Sequence, residues 1–247
     1  MISHGRKPCK AVALTKGVGI YLRTRDEKNL PEFIEYYLKI GVSSFVIHDD
    51  RSEPPVSDVI EKMNIDNSKF TVLRNLLSAS ELNCPVKFTE AILPHLKENM
   101  GYCLYVDADE YLYLGDGIED ICDLVEKYCP FDQLHINWLY FGSNGLTTST
   151  GTTLLDKFTK CAPRLNNHVK SLFKVSSVVA VRSPHYASLK PGSINKNVLN
   201  HVCEVAPTNS IGGTTSGSIE GDSKFGIPNI YHISDSIKGS LSMHRSQ

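Results

Sequence analysis

Hydrophobic runs alternate with amphipathic segments along residues 18–141 of the chain. Short apolar runs bounded by polar turns are typical of buried strands, whereas apolar residues that repeat at three- and four-residue spacings are typical of helices. This pattern predicts strands at 18–23, 42–48, 70–73, 102–106 and 133–141. It predicts the intervening helices at 31–40, 86–96 and 118–127.

The segment at 31–40 shows how clearly a helix is delimited in this sequence. Pro31 suits the first helical position, and Gly41 follows the last one as a stop signal. Between them, Phe33 and Tyr37 lie on one face at i, i+4 spacing. A strand, a helix and a second strand form a βαβ unit, and its repetition predicts an α/β fold with a mostly parallel central sheet and helices on both faces.

Regular patterning weakens beyond residue 141, where glycine, serine and threonine become frequent. Short apolar runs remain at 172–173, 178–181 and 230–232. We expect 206–229 to form a mobile loop that returns His232 to the body of the protein. The expected organisation is a single domain at 18–236, an N-terminal extension at 1–17 and a C-terminal tail at 237–247.

Composition narrows the functional classes. The chain has 247 residues, 41% of them hydrophobic, and a formal net charge of −1, which allows a full core and does not indicate a nucleic-acid partner. The apolar pieces at 11–14 and 18–22 are too short and interrupted to predict a signal peptide or a transmembrane segment. Seven cysteines without CxxC spacing, and no Asn-x-Ser/Thr sequon, favour a soluble, cytoplasmic protein with reduced cysteines.

The strongest candidate site follows the predicted strand at 102–106. Asp107 and Asp109 are separated by one residue, and Glu110 comes next. Carboxylates at the carboxyl end of a strand lie where open α/β sheets bind ligands, and oxygen ligands suit Mg²⁺ or Mn²⁺. We interpret Asp107 and Asp109 as metal ligands and Glu110 as a supporting residue. The alternative is an exposed turn, because aspartate is common in turns.

Charge is distributed unevenly after this motif. Residues 107–132 contain nine acidic residues and the single basic Lys127, whereas residues 157–203 contain eight lysines and arginines and no acidic residue. A metal ion suits the first environment and a diphosphate the second, so Lys170 is a candidate diphosphate contact. The alternative is that the two segments form solvated faces of opposite charge.

Further candidates follow other predicted elements. Asp49 comes after the strand at 42–48, where its carboxylate can accept a hydrogen bond from a uracil N–H. The turn that begins at Thr24 and Arg25 lies beside it and can contact a base and a ribose. His232 is either a structural residue or a metal ligand, since imidazole binds Mn²⁺ beside carboxylates.

Several segments, in order along the chain, resemble glycosyltransferases of the GT-A fold, specifically the family 92 group and its family-2-like relatives. The segments that carry the resemblance are 25–27, 30–42, 47–52, 105–112, 137–145, 168–171 and 231–236. The segment at 137–145 is similar to the family's pattern of a tryptophan followed by Phe-Gly-Ser. An ordered set of this kind is more specific than any single motif.

The resemblance implies Mn²⁺- or Mg²⁺-dependent transfer of a hexose from a nucleotide donor, usually UDP-linked, to a glycan or glycoprotein hydroxyl, with inversion. It implies that Asp109 coordinates the metal, that Asp107 holds the ribose and the metal, and that Lys170 neutralises the diphosphate. On the same basis, Asp49 contacts uracil and His232 completes the metal shell. The nucleotide-binding half would be about 18–132, and the acceptor and phosphate half about 133–236.

The acceptor side and the general base are less defined. Trp138 is either a lining residue of the acceptor site or a core anchor, and Gly142 and Ser143 would form a turn beside it. A general base would deprotonate the acceptor hydroxyl. The sequence leaves this role open among Asp156, Glu204 and Asp235.

Two other functions compete with sugar transfer. One is a catalytically silent module of the same fold that binds a sugar nucleotide or a glycan. The other is a nucleotidyltransferase, which would need a glycine-rich phosphate loop after its first strand. The turn at 24–29 contains no glycine, which favours the glycosyltransferase. The chain resembles the free-standing soluble versions of that family found in microbes and large DNA viruses.

Overall fold

The computed structural model describes most of the expected domain. The described residues are 15–142, 153–163, 165–166, 168–203 and 228–233. The expected C-terminal tail, most of the N-terminal extension and most of the 206–229 loop lie outside them, as does Ser143.

Four parallel strands form the first half of the main sheet. β1 (Val18–Thr24) lies between β2 (Ser44–Asp49) and β4 (Tyr102–Tyr105), and β3 (Phe70–Arg74) lies outside β2. The helices of this half are α1 (Leu30–Lys39), α2 (Val56–Lys62), α3 (Ala79–Leu82) and α4 (Pro85–Asn99), together with a 3-10 turn at Asn67–Lys69. The βαβ repetition predicted here is confirmed, with boundaries that differ by at most three residues.

The signals that delimit α1 act as the sequence predicts. Pro31 lies in the first turn, where a missing N–H costs nothing. Gly41 follows the helix with a φ of +89°, a left-handed conformation that glycine adopts without strain. A Cβ atom at this position would lie 3.1 Å from Cβ of Asp120, a tight contact that adds to the backbone strain of any larger residue.

The second half of the chain adds strands of both directions. Its helices are α5 (Ile121–Tyr128) and α6 (Leu154–Lys157), with a 3-10 turn at Val175–Ser177. Its strands are β5 (Glu110–Tyr113), β6 (Gln133–Gly142), β7 (Lys160–Cys161), β8 (Val169–Lys174), β9 (Val178–Ser183), β10 (Tyr186–Leu189), β11 (Asn195–Asn197) and β12 (Asn229–Ile233). The strand order of the main sheet is β3-β2-β1-β4-β8-β6-β12-β5, and β9 and β10 form a separate hairpin.

The main sheet is mixed, which corrects the prediction of a mostly parallel sheet. β8 runs antiparallel between β4 and β6, and β5 runs antiparallel beside β12 at the edge. The apolar run in β8 is interrupted by Lys170 and Ser171, which the sequence pattern treats as loop residues. Both side chains are buried through partners far away in sequence, so local periodicity does not predict this strand.

Two hydrophobic clusters cover opposite faces of the sheet. Neighbouring residues of a strand point to opposite faces, so Ile20 belongs to the cluster packed by α1 and α5, and Tyr21 to the cluster packed by α4. Phe33 of α1 and Ile92 of α4 are fully buried in these clusters. Each such side chain stabilises the fold by roughly 1.5–3 kcal/mol. The expected α/β class with helices on both faces is confirmed.

The strand order reverses at β1, which creates a crevice. After β1 the chain forms β2 and β3 on one side, and then crosses to form β4 on the other. Ligands of open α/β sheets bind at such a reversal, beyond the carboxyl ends of the strands. The residues that follow β1 and β4, including Arg25 and Asp107, therefore lie at the edge where a ligand is expected.

The cysteines differ from expectation at one position. Cys129 is disulfide-bonded, and its partner lies outside the described residues. The other described cysteines are not disulfide-bonded, which matches the expectation of reduced thiols for those positions only. Within the part of the chain that the structure describes, no helix has the length and apolar character needed to cross a bilayer.

Candidate functional site

A tight turn connects β4 to β5 and presents the acidic motif. Glu110 N donates to the carbonyl oxygen of Asp107 at 3.1 Å, which closes the turn. Asp107 N in turn donates to Oε2 of Glu110 at 2.8 Å. The side chain of Glu110 thus folds back over the turn and fixes its backbone, a local bond typical of acidic turn residues.

Lys170 from β8 joins two of the carboxylates. Its Nζ lies 3.0 Å from Oδ2 of Asp107 and 2.9 Å from Oε2 of Glu110. Lys170 and Glu110 are both fully buried. Burial acts to lower the pKa of Lys170, but the Glu110 and Asp107 carboxylates outweigh burial, so the pKa lies above its ordinary value. Lys170 is therefore a buried cation with two anionic partners.

A second set of contacts brings a histidine to the same turn. β12 pairs antiparallel with β5 so that His232 lies opposite Glu110. Asp109, Glu110 and His232, hereafter the Asp–Glu–His group, place one ligand atom each within 4.8 Å of one another. Tyr37 Oη donates to the carbonyl oxygen of Glu110 at 2.9 Å and fixes the start of β5 from the side of α1.

The donor atoms of this group fit a divalent cation. Glu110 Oε1 and His232 Nδ1 lie 3.4 Å apart, and both are buried without a hydrogen bond to any described residue. Buried polar atoms are rarely left without a partner. Two ligands of one small divalent ion lie roughly 3 Å apart, so this spacing suits a shared metal. Without a metal, the same pair forms an ion pair whenever His232 is protonated.

The formal charge of the cluster also favours a divalent ion. Asp107, Asp109 and Glu110 contribute three carboxylates, and Lys170 contributes one ammonium, which leaves a net formal charge of −2. Asp109 is 7% exposed and Glu110 is fully buried, so water screens this charge poorly. A divalent cation bound here would reduce the repulsion among the three carboxylates.

Trp138 is the centre of an aromatic and imidazole cluster beside this group. Its ring stacks on His232 with 4.4 Å between centroids and on His168 with 4.9 Å. His185 approaches its edge at 5.5 Å, and Lys170 Nζ lies 5.6 Å from the ring centroid. Trp138 is half-buried, and its Nε1 makes no hydrogen bond within the described residues. The Trp138 side chain therefore contacts both His232 of the Asp–Glu–His group and Lys170.

Asp49 lies at the expected sheet edge, but its carboxylate is already engaged. Oδ1 accepts a hydrogen bond from Ser52 N at 2.8 Å, and Oδ2 accepts one from Val56 N at 3.2 Å. Arg74 Nη1 lies 3.4 Å from Oδ2. Since Val56 is the first residue of α2, Asp49 holds the β2–α2 connection in place. A contact between Asp49 and a nucleotide base stays a prediction.

The next residue, Asp50, is a carboxylate that the sequence reasoning did not single out. It accepts from Arg23 Nη2 at 3.1 Å and forms an ion pair with Arg51 Nη2 at 3.0 Å. Burial acts to raise the pKa of Asp50, but the hydrogen bonds from Arg23 and Arg51 outweigh burial and hold the pKa below its usual range. The carbonyl oxygen of Thr24 accepts from Asp50 N at 2.9 Å, which ties the ends of β1 and β2 together.

Thr24 and Arg25 differ in their exposure at this edge. Thr24 is 5% exposed, and its hydroxyl makes no hydrogen bond among the described residues. Arg25 is exposed, and its Nε lies 3.9 Å from Oδ2 of Asp26. Thr24 pairs with Asp49 across β1 and β2, so the turn lies beside Asp49 as expected, and contact of Thr24 and Arg25 with a ligand stays a prediction.

Asp156 lies in a different environment from the other candidates. It is exposed in the first turn of α6, where its Oδ2 accepts from Thr153 Oγ1 at 2.7 Å and its N–H donates back at 3.2 Å. These contacts form a helix cap, and none of the contacts of Asp156 within the described residues reaches the Asp–Glu–His group. Its role as general base stays a prediction. The other two candidates, Glu204 and Asp235, lie outside the described residues.

Gly142 ends β6 beside a shallow cleft. A side chain at Gly142 would meet open space, and the strand register pairs it with Lys160. The cleft is lined by Tyr140, Phe141, Gly142, Lys160, Cys161 and Ala162. The ring of Tyr140 lies 5.2 Å from His232, so the cleft adjoins the Asp–Glu–His group. An acceptor at this position stays a prediction, and its third proposed contact, Ser143, lies outside the described residues.

The structure thus brings Asp107, Asp109, Lys170, His232 and Trp138 into one site. It adds Glu110 as a central member, although the sequence suggested only a supporting role. The sequence does not show the pairing of β5 with β12, which places Glu110 and His232 opposite each other on the same face of the sheet.

No known family model matches the chain, and no curated protein has a similar sequence. Its function therefore has to be inferred from the chemistry of the Asp–Glu–His group and the residues around it.

Proposed function

We propose that this protein is a metal-dependent glycosyltransferase that moves a hexose from a UDP-linked donor to a hydroxyl group of a glycan or glycoprotein, with inversion at the anomeric carbon. The observation that carries the proposal is the Asp–Glu–His group with Lys170 beside it. This cluster follows β4, at the sheet edge where the strand order reverses. The ordered sequence segments that resemble GT-A glycosyltransferases support the same function.

The residues of the cluster have complementary roles in this proposal. Asp109, Glu110 and His232 hold a divalent cation, Mn²⁺ or Mg²⁺, through two carboxylates and an imidazole. When bound, such a cation stabilises the negative charge that develops on a departing diphosphate. Lys170 fixes the orientation of Asp107 and Glu110 through contacts of 3.0 and 2.9 Å, so the carboxylates need little rearrangement to receive the ion.

The rest of the donor would extend along the same edge. Arg25 is an exposed cation after β1, and Asp50 is a carboxylate held between two arginines after β2. These groups offer hydrogen-bond donors and an acceptor to a ribose and a base. Asp107 retains a 36% exposed side chain and can contact a ribose hydroxyl while it pairs with Lys170.

The proposal is tested by the release of nucleoside diphosphate from a panel of UDP-, GDP- and dTDP-hexoses, with water as the acceptor. We expect slow release that requires Mn²⁺ or Mg²⁺ and stops when EDTA is added. Asp109→Asn should abolish release, because the substitution removes a metal ligand and preserves side-chain volume. Asp123→Asn is the matched control, since Asp123 is an exposed residue of α5 whose N–H bonds to Asp120 and not to the Asp–Glu–His group.

The outcomes separate the competing functions. Binding of a sugar nucleotide without release would instead indicate a catalytically silent binding module. Release of pyrophosphate from a nucleoside triphosphate, or release of a sugar phosphate, would indicate attack at a phosphorus atom and a nucleotidyltransferase. Release that persists unchanged in Asp109→Asn would contradict the assignment of the metal site.

A further inference from the structure

The β9–β10 hairpin ends in a tip that reaches the candidate site. His185 lies in the short turn between the two strands, on a hairpin that is separate from the main sheet. The carbonyl oxygen of His185 accepts a hydrogen bond from Ser171 of β8, and Ala187 N donates to Gln133 Oε1 at 2.8 Å. These two hydrogen bonds attach the hairpin to β8 and β6 and hold His185 in place.

One hydrogen bond sets the tautomer of this imidazole. His185 Nδ1 lies 2.8 Å from the carbonyl oxygen of Val169. A carbonyl oxygen can only accept, so Nδ1 carries the proton and Nε2 carries the lone pair. Nε2 makes no hydrogen bond to any residue that the structure describes. The arrangement of an anchored Nδ1–H and an available Nε2 is the one that a histidine general base needs.

The position of His185 relates it to the proposed metal side of the site. Its ring lies 5.5 Å from Trp138, which also contacts His232 at 4.4 Å and Lys170 Nζ at 5.6 Å. His185 and the metal-ligand candidate His232 therefore contact the same aromatic side chain, within reach of one bound donor and acceptor. In an inverting transfer the nucleophile attacks the face of the anomeric carbon opposite the leaving group, so the base acts on the acceptor hydroxyl and the cation on the diphosphate.

The charges around His185 keep it in the form that accepts a proton. Burial and the positive charge of Lys170 lower the pKa of His185, with a smaller contribution from His168. The carbonyl of Val169 and the charge of Glu110 act in the opposite direction but do not reverse the shift. The imidazole is therefore neutral near neutral pH.

We propose that His185 is the general base that deprotonates the attacking hydroxyl, an inference that rests on the proposed sugar transfer. The proton of the acceptor O–H moves to Nε2 of His185 as the oxygen forms a bond to the anomeric carbon. The bond between that carbon and the diphosphate oxygen breaks, and its electron pair leaves with the nucleoside diphosphate. The imidazolium then returns its proton to solvent. With water as the acceptor, the same steps release the free sugar.

The first test separates catalysis from binding. Since an asparagine amide can donate to the Val169 carbonyl in place of Nδ1–H, His185→Asn keeps the anchor of the hairpin tip and removes the base. We expect the turnover of the hydrolysed sugar nucleotide to fall by about 10²–10⁴-fold. The affinity for UDP with Mn²⁺, measured by calorimetry, should stay that of the wild type. His201→Asn, at an exposed histidine, should leave both quantities unchanged.

A second test does not depend on the asparagine variant. In His185→Ala, added imidazole should restore turnover in proportion to the concentration of its unprotonated form, which a purely structural role of His185 would not produce.

Two results would overturn the assignment of His185. If the wild type hydrolyses a sugar nucleotide and His185→Asn does so equally fast, His185 is not the base and the proposed function stands. If the wild type hydrolyses none of the UDP-, GDP- and dTDP-hexoses, the proposed function is wrong, and so is the assignment of His185 as its general base.

Discussion

Replacing Lys170 with methionine tests whether the cluster is an assembly of buried charges. Methionine has a similar length and no charge, so Lys170→Met preserves packing and removes the cation that contacts Asp107 and Glu110 at 3.0 and 2.9 Å. The buried Glu110 and the partly exposed Asp107 then lose the cation that lies between them. We expect the free energy of unfolding to fall by about 3–5 kcal/mol, the usual cost of removing one partner from a buried ion pair.

A metal ion should recover part of this loss. Wild-type protein at a metal concentration of a hundred times Kd gains about 2.7 kcal/mol in the free energy of unfolding. In Lys170→Met the site has lost one positive charge, so the gain from Mn²⁺ should exceed that of the wild type. Urea unfolding with and without Mn²⁺ measures both quantities, and the chain's single tryptophan, Trp138, reports on the site itself by fluorescence.

Lys196→Met is the matched control for this experiment. Lys196 is 9% exposed, but its Nζ contacts neutral acceptors, the carbonyl oxygen of Tyr128 and Oδ1 of Asn200, at 3.0 Å each. Its loss should cost only about 1–2 kcal/mol and should not change the response to Mn²⁺. Equal losses in the two variants, or equal responses to Mn²⁺, would refute the reasoning that Lys170 is a buried counter-ion.

Three further predictions concern the groups that support the site. Tyr37→Phe should lower the free energy of unfolding by about 1–3 kcal/mol in urea titrations, because Leu112 N loses a buried acceptor at 3.2 Å; no change would show that the bond is dispensable. Asp49→Asn should lower the melting temperature measured by circular dichroism, because the amide group that replaces one oxygen can no longer accept a hydrogen bond from the N–H of Ser52 or Val56. An unchanged melting temperature would show that these bonds are dispensable and would leave Asp49 free for a ligand role. Burial lowers the pKa of His135 to about 4, below the ordinary value of about 6.5. Between these two pH values the unfolded chain binds a proton that the folded protein does not, so the free energy of unfolding should fall by about 3 kcal/mol as the pH drops from 6.5 to 4. His135→Gln should show a correspondingly weaker dependence of the free energy of unfolding on pH; an identical dependence would contradict a buried neutral histidine.

Local patterns predicted those parts of the fold that local sequence determines. The βαβ half carries apolar runs, a proline and a glycine at the positions where elements begin and end, such as Pro31 and Gly41 around α1. β8 lacked such a signal, because its fully buried Lys170 looks like a surface residue until Asp107 and Glu110 are placed beside it. A mixed sheet could not be predicted for the same reason, since the direction of β8 follows from long-range pairing.

The candidate site was predictable where chemistry and strand position coincide. Asp107 and Asp109 follow a buried strand, which identifies the sheet edge without a structure. The sequence suggested only a supporting role for Glu110, because its contact with His232 depends on the pairing of β5 with a strand about 120 residues later. His185 gave no sequence signal, since only the separate hairpin brings it to Trp138.

The central claim is a divalent-metal site that binds a nucleoside diphosphate, and calorimetric titration with UDP tests it most directly. We predict that UDP binds the wild-type protein in the presence of Mn²⁺, that EDTA abolishes binding, and that Asp109→Asn does not bind UDP under either condition. UDP binding that is equally strong with EDTA, or that persists unchanged in Asp109→Asn, would contradict the claim.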